Sequence, residues 1–216
     1  MKRQEKSEDP RGRLSRRSFL KGAGGVAAGS VLATELASAE PVAKSRADLS
    51  GAVIEGEVEV AFRLNGAEVK VKVEPRTTLS SALRNHLEPA HVAVKSGCES
   101  GNCGACTVLL DGEPVYSCLT LAVHAHGREV RSAEGLGEGG EPSALQRAMV
   151  KEDATMCGFC TPGFAVSISA QLERDPGASE ETIRESCAGN VCRCGTYPQI
   201  FSAALEAGRE MSGGGK

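Results

Sequence analysis

Eight of the nine cysteines form two groups of four, and their spacing constrains this chain more than any other feature. The first group reads C-x4-C-x2-C, with a fourth cysteine after eleven further residues. The second reads C-x2-C and, after 31 residues, C-x-C. The first pattern is the plant-type spacing of 2Fe–2S ligands, so the eight thiolates predict two clusters and one-electron transfer. The first quartet is Cys98, Cys103, Cys106 and Cys118, and the second quartet is Cys157, Cys160, Cys192 and Cys194.

The first quartet lies in a loop that is rich in glycine. Three of its cysteines fall within the nine residues C-E-S-G-N-C-G-A-C. We expect Gly97, Gly101 and Gly104 to supply the backbone angles of so tight a loop and to turn N–H groups toward an anionic cluster. Zinc is the main alternative, although zinc sites favour paired C-x2–4-C knuckles, and this loop is not one.

The second quartet has a less specific spacing, so zinc remains the alternative there. Cys160 stands just before a predicted helix, whose N-terminus favours an anionic group. Cys192 and Cys194 flank Arg193, and two cysteines so close suit a dinuclear cluster, whereas a disulfide between them would be strained. Arg193 is interpreted as a packing or interface residue.

Residues 1–39 have the features of an export signal. Basic residues are followed by S-R-R-S-F-L-K, a twin-arginine pattern that contains Arg16 and Arg17. An uncharged stretch of 13 residues comes next, shorter than the roughly 20 that span a bilayer, and Ala37-Ser38-Ala39 resembles a cleavage site. The pattern predicts export to the periplasm without a membrane span. The alternative is a disordered basic tail with a chance Arg-Arg pair.

The charge of the chain differs between the signal and the remainder. Residues 1–39 hold 8 Lys and Arg and 4 Asp and Glu, a net charge of +4, so the whole-chain charge of −3 leaves −7 for the remainder. That charge argues against nucleic acid and anionic membrane surfaces as partners, and it favours docking on a larger protein. Because the twin-arginine route carries folded proteins, the thiols can bind clusters before export rather than form disulfides.

Residue periodicity divides the remainder into strands and then helices, which predicts an α+β fold. Asn65-Gly66 and Asp111-Gly112 each join two alternating segments and predict hairpins, and Thr78 is a predicted N-cap. Four short helices follow a Gly- and Glu-rich stretch, and Thr161 is the predicted N-cap of the second and Gly208 the predicted stop of the fourth. The predicted divisions are a flexible lead-in over 40–55, a plant-type 2Fe–2S ferredoxin-like domain over 56–133, a linker over 134–142 and a helical 2Fe–2S domain over 143–212.

The motifs together resemble the small iron–sulfur subunit of the molybdenum hydroxylases, the xanthine oxidase family. The resemblance is greatest to periplasmic aldehyde oxidoreductase subunits, and isoquinoline-type oxidoreductase small subunits are also similar. It is carried by G-C-E-S-G-N-C-G-A-C-T-V (97–108), C-L-T-L-A (118–122), C-G-F-C-T-P-G (157–163) and G-N-V-C-R-C-G-T-Y-P (189–198).

This resemblance implies a β-grasp domain and a four-helix bundle, with one 2Fe–2S cluster in each. It implies a large partner subunit that carries molybdopterin, with FAD as an option on another subunit. Electrons would leave molybdenum for the second quartet, pass to the first, and exit to a flavin subunit or a cytochrome. No catalytic residue is expected on this chain. The other hypotheses are a free-standing electron carrier and a zinc-stabilised binding module.

Three features fall outside this scheme. Phe159 occupies a position where many relatives carry a polar residue, so a pterin contact there is not expected, and the ring is interpreted as a shield for the cluster. The ninth cysteine, Cys187, is interpreted as a buried helical thiol. His124 and His126 form an H-x-H pair without a third ligand nearby, and they are interpreted as surface or contact residues.

Overall fold

The computed structural model describes residues 56–213, which combine a five-stranded sheet with five α-helices, as the α+β prediction requires. The predicted signal and most of the lead-in lie outside the described residues. The strands are β1 (Val58–Leu64), β2 (Ala67–Val73), β3 (Thr107–Leu110), β4 (Glu113–Tyr116) and β5 (Glu129–Arg131). The helices are α1 (Leu79–Asn85), α2 (Ala144–Lys151), α3 (Thr161–Arg174), α4 (Glu180–Ser186) and α5 (Tyr197–Gly213).

Two tight turns set the register of the sheet, and both confirm the predicted hairpins. Asn65 and Gly66 have φ of 51° and 84°, and Leu64 pairs with Ala67. Asp111 and Gly112 repeat this geometry, with φ of 51° and 83°, between β3 and β4. These positive angles give the turns the twist that antiparallel strands need.

The sheet has the strand order β2-β1-β5-β3-β4, so the C-terminal strand is inserted between the two hairpins. β5 runs parallel to β1 and antiparallel to β3. Helix α1 begins at the predicted cap, since the Thr78 side chain accepts a hydrogen bond from the N–H of Ser81. Leu79 and Leu83 of this helix are fully buried, which stabilises the fold by about 1.5–3 kcal/mol for each side chain.

Helix α3 packs against the sheet. Its residues Val166 and Ala170 share a buried cluster with Leu109 of β3. The opposite face of the helix contributes Phe164 and Ile168 to the core of the helical region. Both halves of residues 56–213 therefore meet on one helix, which begins at the second cysteine quartet.

Two helix ends differ from the sequence prediction. The N-cap of α3 is Cys160, one residue before the predicted Thr161. Helix α5 continues past Gly208, the predicted stop, to Gly213. Gly208 is instead a close-packing position, because an added Cβ would lie 2.5 Å from the Pro176 carbonyl oxygen. Within residues 56–213, no helix is long and apolar enough to cross a membrane.

Candidate iron–sulfur sites

The first quartet is held partly by the glycine-rich loop and partly by the sheet. Cys98 and Cys103 lie in the loop, where Cys98 is exposed and Cys103 is half-buried. Cys106 comes immediately before β3 and Cys118 follows β4, and both thiols are buried. The sheet therefore fixes two thiols, and the loop presents the other two nearer the surface.

The loop glycines serve two different purposes. Gly101 and Gly104 have φ of +72° and +67°, the left-handed conformation that the sequence predicts. Gly97 is needed for space instead, since an added Cβ would lie 3.2 Å from both Cys103 Sγ and the Phe159 ring. Glu99 is also left-handed, with φ of 53°, which the sequence pattern does not indicate.

Backbone N–H groups point at the exposed thiol of this loop. The N–H of Asn102 donates to Cys98 Sγ at 3.2 Å. The N–H groups of Ser100 and Asn102, together with the Cys103 thiol, lower the pKa of Cys98 to about 6. Burial raises the pKa of Cys118 to about 11, with a smaller contribution from a neighbouring thiol. The loop thus favours a thiolate, the form that binds metal, at Cys98, while burial disfavours the thiolate at Cys118.

The second quartet also combines two buried thiols with two exposed ones. Cys160 occupies the N-cap position of α3 without a side-chain capping bond, and it is buried, as is Cys192. Cys157 and Cys194 are exposed. The partial positive charge of the helix N-terminus therefore lies beside the candidate site, as the sequence predicts.

Cys192 is hydrogen-bonded to the segment that follows it. Thr196 Oγ1 lies 3.1 Å from Cys192 Sγ, and the N–H of Cys192 donates to Tyr197 Oη at 2.8 Å. Burial disfavours the thiolate, but the hydroxyl and N–H of Thr196 and the Cys160 thiol together lower the pKa of Cys192 to about 7. Burial and the Cys192 thiol raise the pKa of Cys160 to about 12. The role of Thr196 is not predictable from the sequence, because cysteine spacing carries no signal for it.

Thiols of each quartet lie close enough together to interact electrostatically. Among residues 56–213, no group of three or more His, Cys, Asp or Glu side chains is arranged to hold a metal ion. A 2Fe–2S cluster needs two thiolates at each of two irons, and pairs of thiols fit that donor set. The pairs that interact most directly are Cys98 with Cys103, Cys106 with Cys118, Cys157 with Cys194, and Cys160 with Cys192.

One backbone hydrogen bond and one side-chain hydrogen bond connect the loops that carry the two quartets. The N–H of Val191 donates to the Cys103 carbonyl at 3.0 Å, and Asn190 Nδ2 donates to the Gly104 carbonyl at 3.0 Å. The second bond joins residues that are 86 positions apart. Neither contact is predictable from the sequence, because no local pattern records which loops meet in the fold.

The remaining candidates lie outside the quartets. Cys187 is 3% exposed, at the end of α4, and burial raises its pKa to about 11. His126 Nδ1 accepts the N–H of Ala61 at 3.2 Å, which is a contact with β1. Arg193 is exposed, and the ring of Phe159 is 46% exposed.

Three family models match this chain. A 2Fe–2S iron–sulfur cluster binding domain matches residues 62–133, and a second 2Fe–2S binding domain matches residues 132–205. A twin-arginine translocation signal sequence matches residues 13–33. These matches confirm the predictions of two 2Fe–2S clusters and of a twin-arginine signal.

Individual relatives extend the similarity over nearly the whole chain. The aldehyde oxidoreductase iron-sulfur-binding subunit PaoA of Escherichia coli O157:H7 is 34% identical over 92% of this chain and 90% of its own length. The nicotine 6-hydroxylase small subunit of Paenarthrobacter nicotinovorans is 44% identical over 69% of this chain and 89% of its own. The structure of quinoline 2-oxidoreductase from Pseudomonas putida 86 matches with a TM-score of 0.69 and 38% identity, over 74% of this chain and 99% of the matched chain. The chain therefore belongs to the iron–sulfur subunits of the molybdenum hydroxylase family.

Proposed function

We propose that this chain is the electron-transfer subunit of an exported, molybdenum-dependent aldehyde oxidoreductase. It relays electrons from a large molybdopterin-binding subunit, through two 2Fe–2S clusters, to a flavin subunit or a cytochrome. The observation that carries this proposal is the direct hydrogen bond between the two cysteine loops, from Val191 to Cys103. Two cluster sites in backbone contact are what a stepwise electron relay needs.

The proposed ligands are the four thiols of each quartet, and Gly97, Gly101 and Gly104 shape the first site. When bound, each cluster accepts and releases one electron. The chain controls how readily this happens through hydrogen bonds to sulfur, from the N–H of Asn102 and the hydroxyl of Thr196.

An apolar surface supports docking of the molybdopterin subunit at the second quartet. Met156, Phe159 and Val191 are 68%, 46% and 50% exposed, and each adjoins a cysteine of the second quartet in the sequence: Cys157, Cys160 and Cys192. Large exposed apolar side chains beside a site are typical of protein interfaces. The second quartet therefore receives electrons, and the first quartet passes them on.

The length of the alignments favours an aldehyde over a nitrogen heterocycle as the substrate of the complex. The aldehyde oxidoreductase subunit aligns over 92% of this chain, whereas the nicotine 6-hydroxylase subunit aligns over 69%. The higher identity of the nicotine relative, 44%, and the match to quinoline 2-oxidoreductase support a heterocycle as the second candidate. Assays of the purified complex with an aldehyde and with a quinoline distinguish the two.

We also propose the domain division. Residues 56–133 form a ferredoxin-like β-grasp domain, 134–142 link it to the next, and 143–212 form a four-helix bundle that holds the second cluster. The support is the two family matches, which meet at residues 132 and 133.

Low-temperature EPR with iron and zinc analysis on the dithionite-reduced protein tests the cluster assignment. We expect two distinct signals and about four irons per chain. Cys103→Ser should abolish one signal, while Cys187→Ser, which changes a buried thiol outside the quartets, should keep both. Zinc in place of iron, without EPR signals, would contradict the proposal and favour a zinc-stabilised binding module. Purification without a molybdenum-bearing partner would favour a free-standing carrier.

The proposed location of the protein is the periplasm, which it reaches by the twin-arginine route. This proposal rests on the twin-arginine match over residues 13–33. Changing both Arg16 and Arg17 to Lys should retain the protein in the cytoplasm, as fractionation with an antibody will show. Unchanged export of this double variant would exclude the twin-arginine route.

A further inference from the structure

The side chain of Asn190 bridges the two cysteine loops from a buried position. The residue is 6% exposed, and its Nδ2 donates to the Gly104 carbonyl at 3.0 Å. On the other side, Ser167 Oγ of helix α3 donates to Asn190 Oδ1 at 2.9 Å. Because the Gly104 carbonyl can only accept, this partner fixes the orientation of the amide. Both ends of the Asn190 side chain are therefore held.

Glycines allow the closest approach of the chain around this amide. A Cβ at Gly104 would lie 2.5 Å from Asn190 Nδ2 and 2.6 Å from the carbonyl oxygen of Gly189. A Cβ at Gly163, in the first turn of α3, would collide with the Gly104 carbonyl. The first loop, the second loop and helix α3 thus meet at a single packed point.

We propose that Asn190, anchored by Ser167, is the positioning residue that fixes the separation of the two clusters. It holds the second loop against the first, so that the next residue, Val191, can donate to the Cys103 carbonyl. In the relay, one electron leaves the reduced cluster and the other cluster gains it, with no bond made or broken. The rate of that step depends on the separation that Asn190 maintains. The inference rests on the proposed function, because it takes both quartets as cluster ligands.

The test is the magnetic splitting between the two EPR signals of the fully reduced holoprotein, since this splitting weakens as the clusters move apart. Asn190→Asp keeps the size of the side chain but replaces the donor with an oxygen that repels the Gly104 carbonyl. Thr107→Val is the matched control. Thr107 is 4% exposed, and its hydroxyl donates to the same carbonyl at 2.6 Å, but from the first residue of β3 and without bridging the two loops.

We expect Asn190→Asp to reduce or abolish the splitting at unchanged iron content, and Thr107→Val to retain it. Wild-type splitting in Asn190→Asp, or an equal loss in both variants, would overturn the inference. If Asn190→Asp fails to assemble, Ser167→Ala provides the test, because it removes only the hydrogen bond from Ser167 Oγ to Asn190 Oδ1. Reduced splitting in that variant supports the inference, and wild-type splitting overturns it. Absence of both signals from the wild-type protein would instead refute the proposed function.

Discussion

The two quartets differ in the kind of group that is hydrogen-bonded to a ligand sulfur. In the first quartet, the N–H of Asn102 donates to Cys98 Sγ. In the second quartet, the partner includes a side chain, because Thr196 Oγ1 lies 3.1 Å from Cys192 Sγ. A backbone donor cannot be removed by a simple substitution, but a hydroxyl can, so the second quartet offers the cleaner test of how these bonds affect a cluster.

Thr196→Val should make the second cluster harder to reduce. A hydrogen bond to a ligand sulfur stabilises the more negative, reduced state, and a typical bond contributes about 0.5–1.5 kcal/mol. With 1.4 kcal/mol equivalent to 59 mV for one electron, the potential should fall by about 20–60 mV. An EPR-monitored redox titration measures the shift. Thr196→Ser keeps a hydroxyl and should restore the potential, and an equal shift in both clusters would contradict this role.

Gly104→Ala should destabilise the chain more than Gly112→Ala. Both glycines have left-handed φ, +67° and +83°, which costs alanine about 1–2 kcal/mol. A Cβ at Gly112 meets nothing within 4 Å, whereas one at Gly104 approaches backbone and Asn190. Thermal unfolding compares them, and each kcal/mol should lower Tm by about 2–4 °C. Equal losses in the two variants would show that the contact between the loops adds no stability.

Individual elements are predictable where their signals are local. Asn65-Gly66 predicts a hairpin because only adjacent residues decide that turn. Gly208 was misinterpreted because its partner, the Pro176 carbonyl, is distant in sequence. The same holds for the candidate sites: cysteine spacing indicates the quartets, and the ligand assignment itself stays a prediction. The bridge from Asn190 to Gly104 depends on tertiary packing and leaves no local pattern.

The turn between β3 and β4 should make stability depend on pH. The N–H of Glu129 and the guanidinium of Arg128 lower the pKa of Asp111 from 3.8. A carboxylate with a lowered folded-state pKa contributes stability above its unfolded pKa, and this is lost as the pH falls through the folded value. Asp111→Asn should therefore have a lower free energy of unfolding at pH 7. Its free energy of unfolding, measured with denaturant, should also fall less steeply as the pH is lowered into the acid range. Asp153→Asn, at the same φ of 51°, controls for the backbone conformation. If the free energy of unfolding of Asp111→Asn falls with decreasing pH as steeply as that of the wild type, the prediction is contradicted.

At the scale of the whole molecule, the apolar core is divided. One buried cluster lies under the sheet and another among the helices, with a small third between them. The full chain has no Trp, and aromatic residues make up 3% of it. A core divided in this way gains much from cross-links that tie distant segments together, as metal clusters can.

Removal of both clusters should lower the thermal stability of the whole unit. Ligands that bind only the folded state stabilise it, so the iron-free protein should have a lower Tm. A loss of 1 kcal/mol lowers Tm by about 2–4 °C, and we expect the decrease on cluster removal to be larger than that. Calorimetry before and after chelation measures the difference, and reconstitution with iron and sulfide should restore the original Tm. An unchanged Tm would mean that the cysteine loops are stable without metal.

The bridge between the loops also has a consequence for biogenesis. Asn190 is synthesised 86 residues after Gly104, which takes a ribosome about 4–17 s. During that interval the first loop exists without the partner that completes it, whatever cluster it has received. The finished relay is therefore a product of the complete polypeptide, and a chain sent across the membrane during translation would arrive with its two halves not yet joined.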